Sequence, residues 1–416
     1  MIIVDFNNEK GGWAEISTNQ PEELWGFVDQ ITNLSEVKSR RIGSRKILIP
    51  WSTFSTYWDQ LKDRAAYHKE EIRLSKKTEQ LITRAESHGK FFGKEYESEI
   101  LSEEELADCL IKSGFQRKLL HHEGISFQAR NVAKLFSLPS GATFSVPGAG
   151  KTTEALALFF LKRNNSTRLL VVCPKNAFGV WEQQINECAP AANLKITRLV
   201  GNTKHVSELL QSQSDVFLIT YQKFHREVDN VETFVNEEDM VFLDESHYIK
   251  GQGVISSAVR SISHIPGYKL LMSGTPMPNR MEDLIPQFQF LFPFEPVDAE
   301  NVVTKIRSVY VRTTKKELPI PKMELPVVKN VELSSAQKDL YSLVSSEEHR
   351  QLRDLKSRDA NALRRVGKSA MTLLQIASNP ELLANHQLSD MEPLIRALSE
   401  GQSRKVSYAC KRARQL

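Results

Sequence analysis

The chain has 416 residues, of which 40% are hydrophobic and 25% charged, and its formal net charge at pH 7 is +4. This composition excludes a largely disordered chain and leaves room for two or three globular domains. The longest apolar run, residues 155–161, is far too short to cross a bilayer, and the N-terminus lacks a basic region and a cleavage site. The four cysteines show no Cys-x-x-Cys spacing, so we expect reduced thiols in a cytoplasmic protein without a membrane partner.

Residues 1–118 are predicted to form a small, separate α/β module. Two strand-like stretches, 2–6 and 13–17, flank a Gly-Gly turn and predict a hairpin, and residues 45–50 alternate like a further strand. Residues 21–33 have helical spacing, and Ser52 or Thr53 is expected to cap a long helix that runs to about Ser87. No catalytic constellation occurs in this module, so its role is left open.

Residues 119–295 alternate between apolar strand-like runs and helical segments. Strands are predicted at 143–146, 169–173, 216–220, 240–244 and 269–272, and helices at 152–162 and 176–187. Apolar strands of this length that alternate with helices indicate a parallel sheet with helices on both faces. The motifs described below follow these strands, and the carboxyl ends of strands are where open α/β sheets bind ligands.

Residues 296–416 are predicted to be mostly helical. Extended stretches at 309–312 and 326–331 precede helices at 335–355, 360–379 and 392–400. Basic residues cluster over 38–46 and 404–414. Such clusters can contact nucleic-acid phosphates, but a solvated surface is the simpler interpretation of either cluster alone.

A glycine-rich loop between a strand and a helix indicates a phosphate-binding site. It comprises Pro147, Gly148, Ala149, Gly150, Lys151, Thr152 and Thr153. The glycines allow successive N–H groups to point at phosphate oxygens, and the following helix adds its positive end. We expect Lys151 to contact the β- and γ-phosphates of ATP and the Thr152 hydroxyl to bind Mg²⁺. The pattern departs from the usual one at its first glycine, which is Ser145 here.

Two acidic residues complete the predicted catalytic site with Lys151. Asp244 ends a buried-type strand and is expected to hold Mg²⁺, and Glu245 is placed to orient and deprotonate the attacking water. Four further residues are expected to couple the site to its surroundings instead of taking part in chemistry. They are His247, Ser273, Gly274 and Thr275.

Taken as a set, the motifs resemble those of superfamily-two helicases, specifically the Swi/Snf group of double-stranded DNA translocases. The matching stretches are residues 127–128, 147–153, 171–174, 218–221, the Asp-Glu-x-His box at 244–250, and 271–279. The resemblance implies a RecA-like P-loop domain in which Gln128 contacts adenine. It further implies a DNA-tracking face that consists of Pro174, Lys175, Asn176, Thr220 and Tyr221. Trp181 resembles a family position too, but we interpret it as a core anchor.

The family resemblance also implies a second RecA-like half that brings an arginine to the ATP site, and no motif of that kind occurs before Leu416. We therefore expect this chain to bind ATP, Mg²⁺ and duplex DNA, and to hydrolyse ATP weakly unless a partner chain supplies the second half. The predicted function is that of an ATP-dependent DNA translocase or helicase subunit. The alternatives are an ATP-gated nucleic-acid-binding switch without motor activity, or an RNA helicase.

Overall fold

The structure is a computed structural model. It describes residues 1–7, 12–19, 26, 28, 39–89, 101–120, 126–251, 253–293, 295, 297–319, 327–353, 360–384, 391–401 and 403–415. Most of the helix predicted over 21–33 lies outside these residues. The chain divides into two compact units, Met1–Pro321 and Lys322–Leu416. The helices among the described residues are too short or too polar to cross a membrane.

In the N-terminal part of the first unit, the described residues form a five-stranded sheet that two longer helices accompany. The strands are β1 (Ile2–Asn7), β2 (Trp13–Thr18), β3 (Arg40–Ile42), β4 (Lys46–Pro50) and β5 (Ile72–Leu74), in the spatial order β3-β4-β2-β1-β5. Strands β1 and β2 pair antiparallel, which confirms the predicted hairpin. Their alternate residues Ile2, Val4, Ala14 and Ile16 are buried in a core of their own.

The long helix predicted to start at Ser52 or Thr53 is wrong, because a strand interrupts it. The structure has α1 (Trp51–Tyr67), then β5, then α2 (Lys76–Gly89). Lys69 ends the first helical stretch in a left-handed conformation with φ of 57°. Strand β5 then pairs parallel with β1, with Ile72 opposite Ile2. Three residues are too few to show a strand pattern, so only this tertiary pairing fixes their conformation.

The larger sheet of the first unit has seven strands, and all of its neighbouring pairs are parallel. The strands are β6 (Gly141–Thr143), β7 (Leu169–Val172), β8 (Ile196–Arg198), β9 (Val216–Ile219), β10 (Met240–Asp244), β11 (Tyr268–Met272) and β12 (Tyr310–Val311). Their spatial order is β12-β6-β11-β10-β7-β9-β8. This confirms the predicted parallel sheet, although β12 extends it beyond residue 295, the expected end of the domain.

Helices flank this sheet, and its central strands are buried along almost their whole length. The helices are α3 (Glu103–Ser113), α4 (Phe127–Ser137), α5 (Lys151–Lys162), α6 (Phe178–Cys188), α7 (Thr203–Leu210), α8 (Tyr221–Arg226), α9 (Val228–Phe234), α10 (Val254–Ser261), α11 (Ile285–Leu291) and α12 (Val302–Val309). Helix α3 was expected in the N-terminal module. Instead, Leu106 and Leu110 pack into the core of the seven-stranded sheet.

The second unit, as far as it is described, is helical, as predicted. It contains α13 (Ser335–Arg353), α14 (Ala360–Ser378), α15 (Glu392–Ser399) and α16 (Arg404–Ala413). A small apolar core includes Leu340, Ile376, Leu383 and Leu394. The helix over residues 404–413 was not predicted; only the cluster of basic residues over 404–414 stood out in the sequence.

Candidate functional site

The predicted phosphate loop joins β6 to α5 and has the backbone that a phosphate ligand requires. Gly148 and Gly150 have φ angles of 86° and 80°, in the left-handed region that favours glycine. A Cβ atom at Gly148 would meet no atom within 4 Å, so open space faces the loop there. No side chain caps the N-terminus of α5, so the N–H groups of its first turn are available to an anion.

The side chain of Gln128 forms a hydrogen bond with the backbone of the phosphate loop. Its side chain is fully buried, its Nε2 donates a hydrogen bond of 2.9 Å to the Ala149 carbonyl, and its Oε1 accepts one of 2.7 Å from the Leu120 backbone. A Cβ atom at Gly150 would lie 2.2 Å from the same Nε2. The carboxamide is therefore in contact with the loop itself, and its predicted contact with adenine stays a prediction.

Ser145 occupies the place of the first glycine of the usual pattern, and its hydroxyl has a structural role. The side chain is buried, and Oγ accepts a hydrogen bond of 2.9 Å from the Thr313 backbone, which follows β12. The Ser145 carbonyl accepts a hydrogen bond of 3.0 Å from Lys151 Nζ. The serine at this position thus connects the start of the loop to the residues that follow edge strand β12, 168 positions further along the chain.

Beneath the loop, one turn into α5, the buried carboxyl group of Glu154 is fully hydrogen-bonded. Asn131 donates to Oε1 over 2.7 Å and the Thr143 hydroxyl to Oε2 over 2.8 Å, while Asn131 also donates to the Thr313 hydroxyl. Burial raises the pKa of Glu154 to about 7, although these hydrogen bonds act in the opposite direction. The sequence analysis did not single out this residue, because one glutamate in an apolar helix has no pattern.

Asp244 ends β10 in a half-buried position. Its Oδ2 accepts a hydrogen bond of 3.0 Å from the Trp181 indole, and its Oδ1 accepts one of 3.0 Å from the Glu245 backbone. Burial raises the pKa of Asp244, while the Trp181 hydrogen bond and the electrostatic attraction of Lys151 lower it. The structure therefore brings the predicted catalytic residues Lys151, Asp244 and Glu245 together.

Glu245 has a strained backbone that directs it away from the strand. Its φ is 53°, a left-handed conformation that a non-glycine residue rarely adopts and that recurs at functional sites. Its Oε2 lies 3.2 Å from His247 Nδ1, and the same nitrogen lies 3.3 Å from Ser273 Oγ. The Ser273 hydroxyl also accepts a hydrogen bond of 3.1 Å from the Thr275 backbone.

The sheet order explains this arrangement, because β11 lies between β6 and β10. Ser273 therefore follows the strand that separates the phosphate loop from Asp244 and Glu245. Gly274 completes the contact on the loop side: a Cβ atom there would lie 3.1 Å from Pro147 Cδ. All four predicted coupling residues thus lie where the phosphate loop and the Asp244–Glu245 pair adjoin.

Four of the five residues predicted to track DNA line one open groove of about 600 Å³, beside the carboxyl ends of β7 and β9. The lining residues are Pro174, Lys175, Asn176, Tyr221, Gln222 and Tyr248. Two predicted members differ from expectation. Thr220 caps α8, because its hydroxyl accepts a hydrogen bond of 3.2 Å from the Lys223 backbone. Tyr221 forms the groove floor with only 1% of its surface exposed, so its hydroxyl faces the protein interior.

Comparison with known proteins supports the family resemblance. Residues 137–299 match the family model of the SNF2-related domain. This segment of the chain is therefore similar to SNF2-related domains. This confirms the family resemblance inferred from the motifs. The matched range begins in α4, before the phosphate loop, and extends past β11, so it covers the three motifs that meet at the site.

The curated relatives that match this chain are much longer proteins. The chain is 27% identical to the CHD3-type chromatin-remodeling factor CHR7 of Arabidopsis thaliana over 61% of its own length and 22% of the relative. It is 24% identical to the human DNA excision repair protein ERCC-6-like over 59% of its length and 21% of the relative. The chain thus spans about a fifth of the length of these relatives.

A solved structure is also similar. It is the Sulfolobus solfataricus SWI2/SNF2 ATPase core in complex with dsDNA, which matches 69% of this chain and 64% of its own chain. The sequence identity is 21% and the TM-score 0.42.

Proposed function

We propose that the SNF2-related domain of this chain is the ATP-binding half of an ATP-driven translocase that acts on duplex DNA. The observation that carries this proposal is geometric: Lys151 follows β6, the Asp244–Glu245 pair follows from β10, and a single strand, β11, separates β6 from β10 in the parallel sheet. A phosphate-binding loop opposite two acidic residues is the arrangement that phosphoryl-transfer enzymes use.

The residues present fit ATP with Mg²⁺. The open glycine loop and the uncapped first turn of α5 would hold the phosphates, and Lys151 would exchange its bond to the Ser145 carbonyl for the β- and γ-phosphates. Thr152 and Asp244 would hold the metal. Bound Mg-ATP supplies the phosphoanhydride bond and a cation that neutralises the charge developing on the phosphates.

Glu245 is the proposed general base. Its left-handed backbone and the contact with His247 set the position of its carboxylate. In this proposal one Glu245 carboxylate oxygen accepts a proton from the attacking water, while His247 Nδ1 orients the other, Oε2. Asp244 is half-buried, and the Trp181 indole and the Glu245 backbone fix its carboxylate, so it is the proposed metal ligand and not the base. The two adjacent acids therefore take different roles.

The groove beside the site is the proposed DNA contact. Lys175 and the polar groups of Asn176 and Gln222 face a cavity of a size that suits one strand's sugar-phosphate chain. Contacts of this kind position a protein on nucleic acid without reading sequence. Following the family resemblance, we further propose that a second RecA-like half, in a partner chain or elsewhere in a longer protein, supplies an arginine to the γ-phosphate. In P-loop enzymes such an arginine is worth on the order of 10³–10⁵ in turnover.

The deciding experiment is Mg²⁺-dependent ATP turnover with and without a 30-base-pair DNA duplex, compared between the chain and Glu245→Gln. We expect the chain alone to bind ATP and to turn it over weakly. Turnover that the duplex stimulates should be abolished by the substitution, while ATP binding persists. Lys151→Ala, as a companion, should remove ATP binding itself.

The alternatives give different outcomes in the same assay. Nucleotide-dependent duplex binding without turnover, even after addition of the second half, would indicate a switch. Stimulation by an RNA duplex in preference to DNA would indicate an RNA helicase. Absence of ATP binding would contradict the proposal altogether.

A further inference from the structure

Tyr248 lies on the wall of the groove, and neither the motif analysis nor the proposed chemistry assigns it a role. Its side chain is 43% exposed, and it directly follows His247 in the chain. The ring stacks on that of Tyr221, with centroids 5.0 Å apart and planes 8° from parallel. Part of the Tyr248 side chain is therefore exposed where it lines the groove, while its ring also packs against a buried ring.

The buried ring of Tyr221 is hydrogen-bonded to the backbone of Asp244, whose carboxylate is the proposed metal ligand. Tyr221 is 1% exposed, and its hydroxyl donates a hydrogen bond of 2.8 Å to the backbone carbonyl of Asp244. A displacement of the Tyr221 ring must therefore shift the end of β10 or break this hydrogen bond.

A second path leads from the same ring to the general base. The imidazole of His247 lies 5.2 Å from the Tyr248 ring centroid, at an interplanar angle of 29°. His247 Nδ1 lies 3.2 Å from Glu245 Oε2 and 3.3 Å from Ser273 Oγ. One exposed ring thus contacts the immediate neighbours of both acidic residues.

We propose that Tyr248 is a positioning residue that couples occupancy of the groove to the positions of Asp244 and Glu245. The inference rests on the proposed function, because it takes the groove as the nucleic-acid site and the two acids as the ATP site. Packed aromatic groups move between discrete arrangements and do not deform continuously, so a strand that presses on Tyr248 moves Tyr221 and His247 with it. Groove ligand and nucleotide should then alter each other's affinity by the same factor.

The test measures this coupling without hydrolysis. The dissociation constant of a fluorescein-labelled 20-base-pair DNA duplex is determined with and without a saturating non-hydrolysable ATP analogue and Mg²⁺. We expect a ratio of at least about 5 for the wild-type chain, within the usual range of coupling between sites. Tyr248→Ala and Tyr248→Leu should both bring the ratio to within twofold of 1. Tyr248→Phe, which keeps the stacked ring, should retain the wild-type ratio.

Gln222→Ala is the matched control. Gln222 lines the same groove and is exposed, but its side chain has no aromatic ring that could stack on Tyr221 or His247. Its substitution should weaken duplex binding equally with and without the analogue, so the ratio stays at its wild-type value. Because coupling is a ratio, a uniform loss of duplex affinity in the Tyr248 variants does not imitate the expected result.

Each outcome bears on a different claim. A wild-type ratio retained in Tyr248→Ala and Tyr248→Leu, or lost equally in Tyr248→Phe, overturns the inference. Separate binding of duplex and analogue with a wild-type ratio of 1 also overturns it, while the proposed binding sites stand. Failure of the wild-type chain to bind duplex or analogue contradicts the proposed function, and the inference falls with it.

Discussion

The indole Nε1 of Trp181 donates a hydrogen bond of 3.0 Å to Oδ2 of Asp244. Trp181 is fully buried in α6, which confirms the interpretation of this residue as a core anchor. The same side chain nevertheless stabilises the ionised form of the carboxylate proposed to hold Mg²⁺, against the burial that raises its pKa. A single tryptophan thus serves packing and electrostatics together.

Replacing Trp181 with Phe should separate these two contributions. Phe keeps most of the apolar contact but removes the donor, and a hydrogen bond to a charged group is worth about 1.5–3 kcal/mol. We expect Mg²⁺-dependent affinity for an ATP analogue, measured by calorimetry at pH 7, to fall by about 10-fold or more. With decreasing pH the affinity should decline from a higher pH than in the wild type, because the pKa of Asp244 rises further.

Trp58→Phe is the control for this substitution, since Trp58 lies in the N-terminal module and packs against the separate core of that module. It should leave nucleotide affinity unchanged. Affinity of Trp181→Phe within twofold of the wild type would show that the indole hydrogen bond does not tune Asp244.

The two glycines of the phosphate loop offer a matched pair of substitutions. Alanine at either position incurs the left-handed backbone cost of about 1–2 kcal/mol. Only at Gly150 would the new Cβ atom also lie 2.2 Å from Gln128 Nε2, whereas open space surrounds Gly148. We therefore expect urea denaturation to give a lower free energy of unfolding for Gly150→Ala than for Gly148→Ala, by at least about 1 kcal/mol. Equal losses would mean that Gln128 yields freely and does not hold the loop.

Glu154 should make stability depend on pH near neutrality. Its folded-state pKa of about 7 lies above the ordinary value of 4.5, so the folded state retains a proton that the unfolded state releases. The stabilising contribution is complete below about pH 4.5 and is lost as pH rises through 7. Glu154→Gln removes this titration, and the Thr143 hydroxyl can accept from the new amide. At pH 8 we expect the variant to be more stable than the wild type by about 1–3 kcal/mol.

Glu227→Gln should show the opposite sign in the same urea titrations. Burial alone would raise the pKa of Glu227, but hydrogen bonds from Lys223, Thr203 and Asn230 outweigh it and lower the pKa. Its ionised form therefore stabilises the fold, and the glutamine variant should lose stability at pH 8.

A Glu154→Gln variant that is no more stable than wild type at pH 8 would contradict the assignment of a protonated carboxyl group beneath the loop.

Long apolar runs made the parallel sheet predictable, whereas short strands and side-chain directions were not. The strands β7, β9 and β10 lie within one residue of their predicted positions, because a buried parallel strand is continuously apolar. The three-residue β5 has no such pattern, and its conformation depends on pairing with β1.

Within the candidate site, the directions in which the side chains face could not be predicted from the sequence. Tyr221 was expected on the DNA-tracking surface, yet its hydroxyl points inward to Asp244, since the helix that follows Thr220 turns it under the groove. A signal for this was present: a threonine directly before a helical run is a preferred N-cap, so the Thr220 hydroxyl was already committed to the backbone. The Gln128 contact with Ala149 had no such signal, because it joins residues 21 positions apart in the chain.

The strand β11 has different neighbours at its two ends. At its carboxyl end Ser273 contacts His247, and at its amino end the carbonyls of Pro266 and Gly267 accept hydrogen bonds of 3.1 and 3.4 Å from Arg84 of the N-terminal module. Five strand residues, roughly 16 Å, separate these ends. The N-terminal module is thus attached at the amino end of β11, opposite to the end that lies at the candidate site. Its outer surface is free to diverge, or to carry a fused domain in an engineered protein, without altering the atoms that would meet a nucleotide.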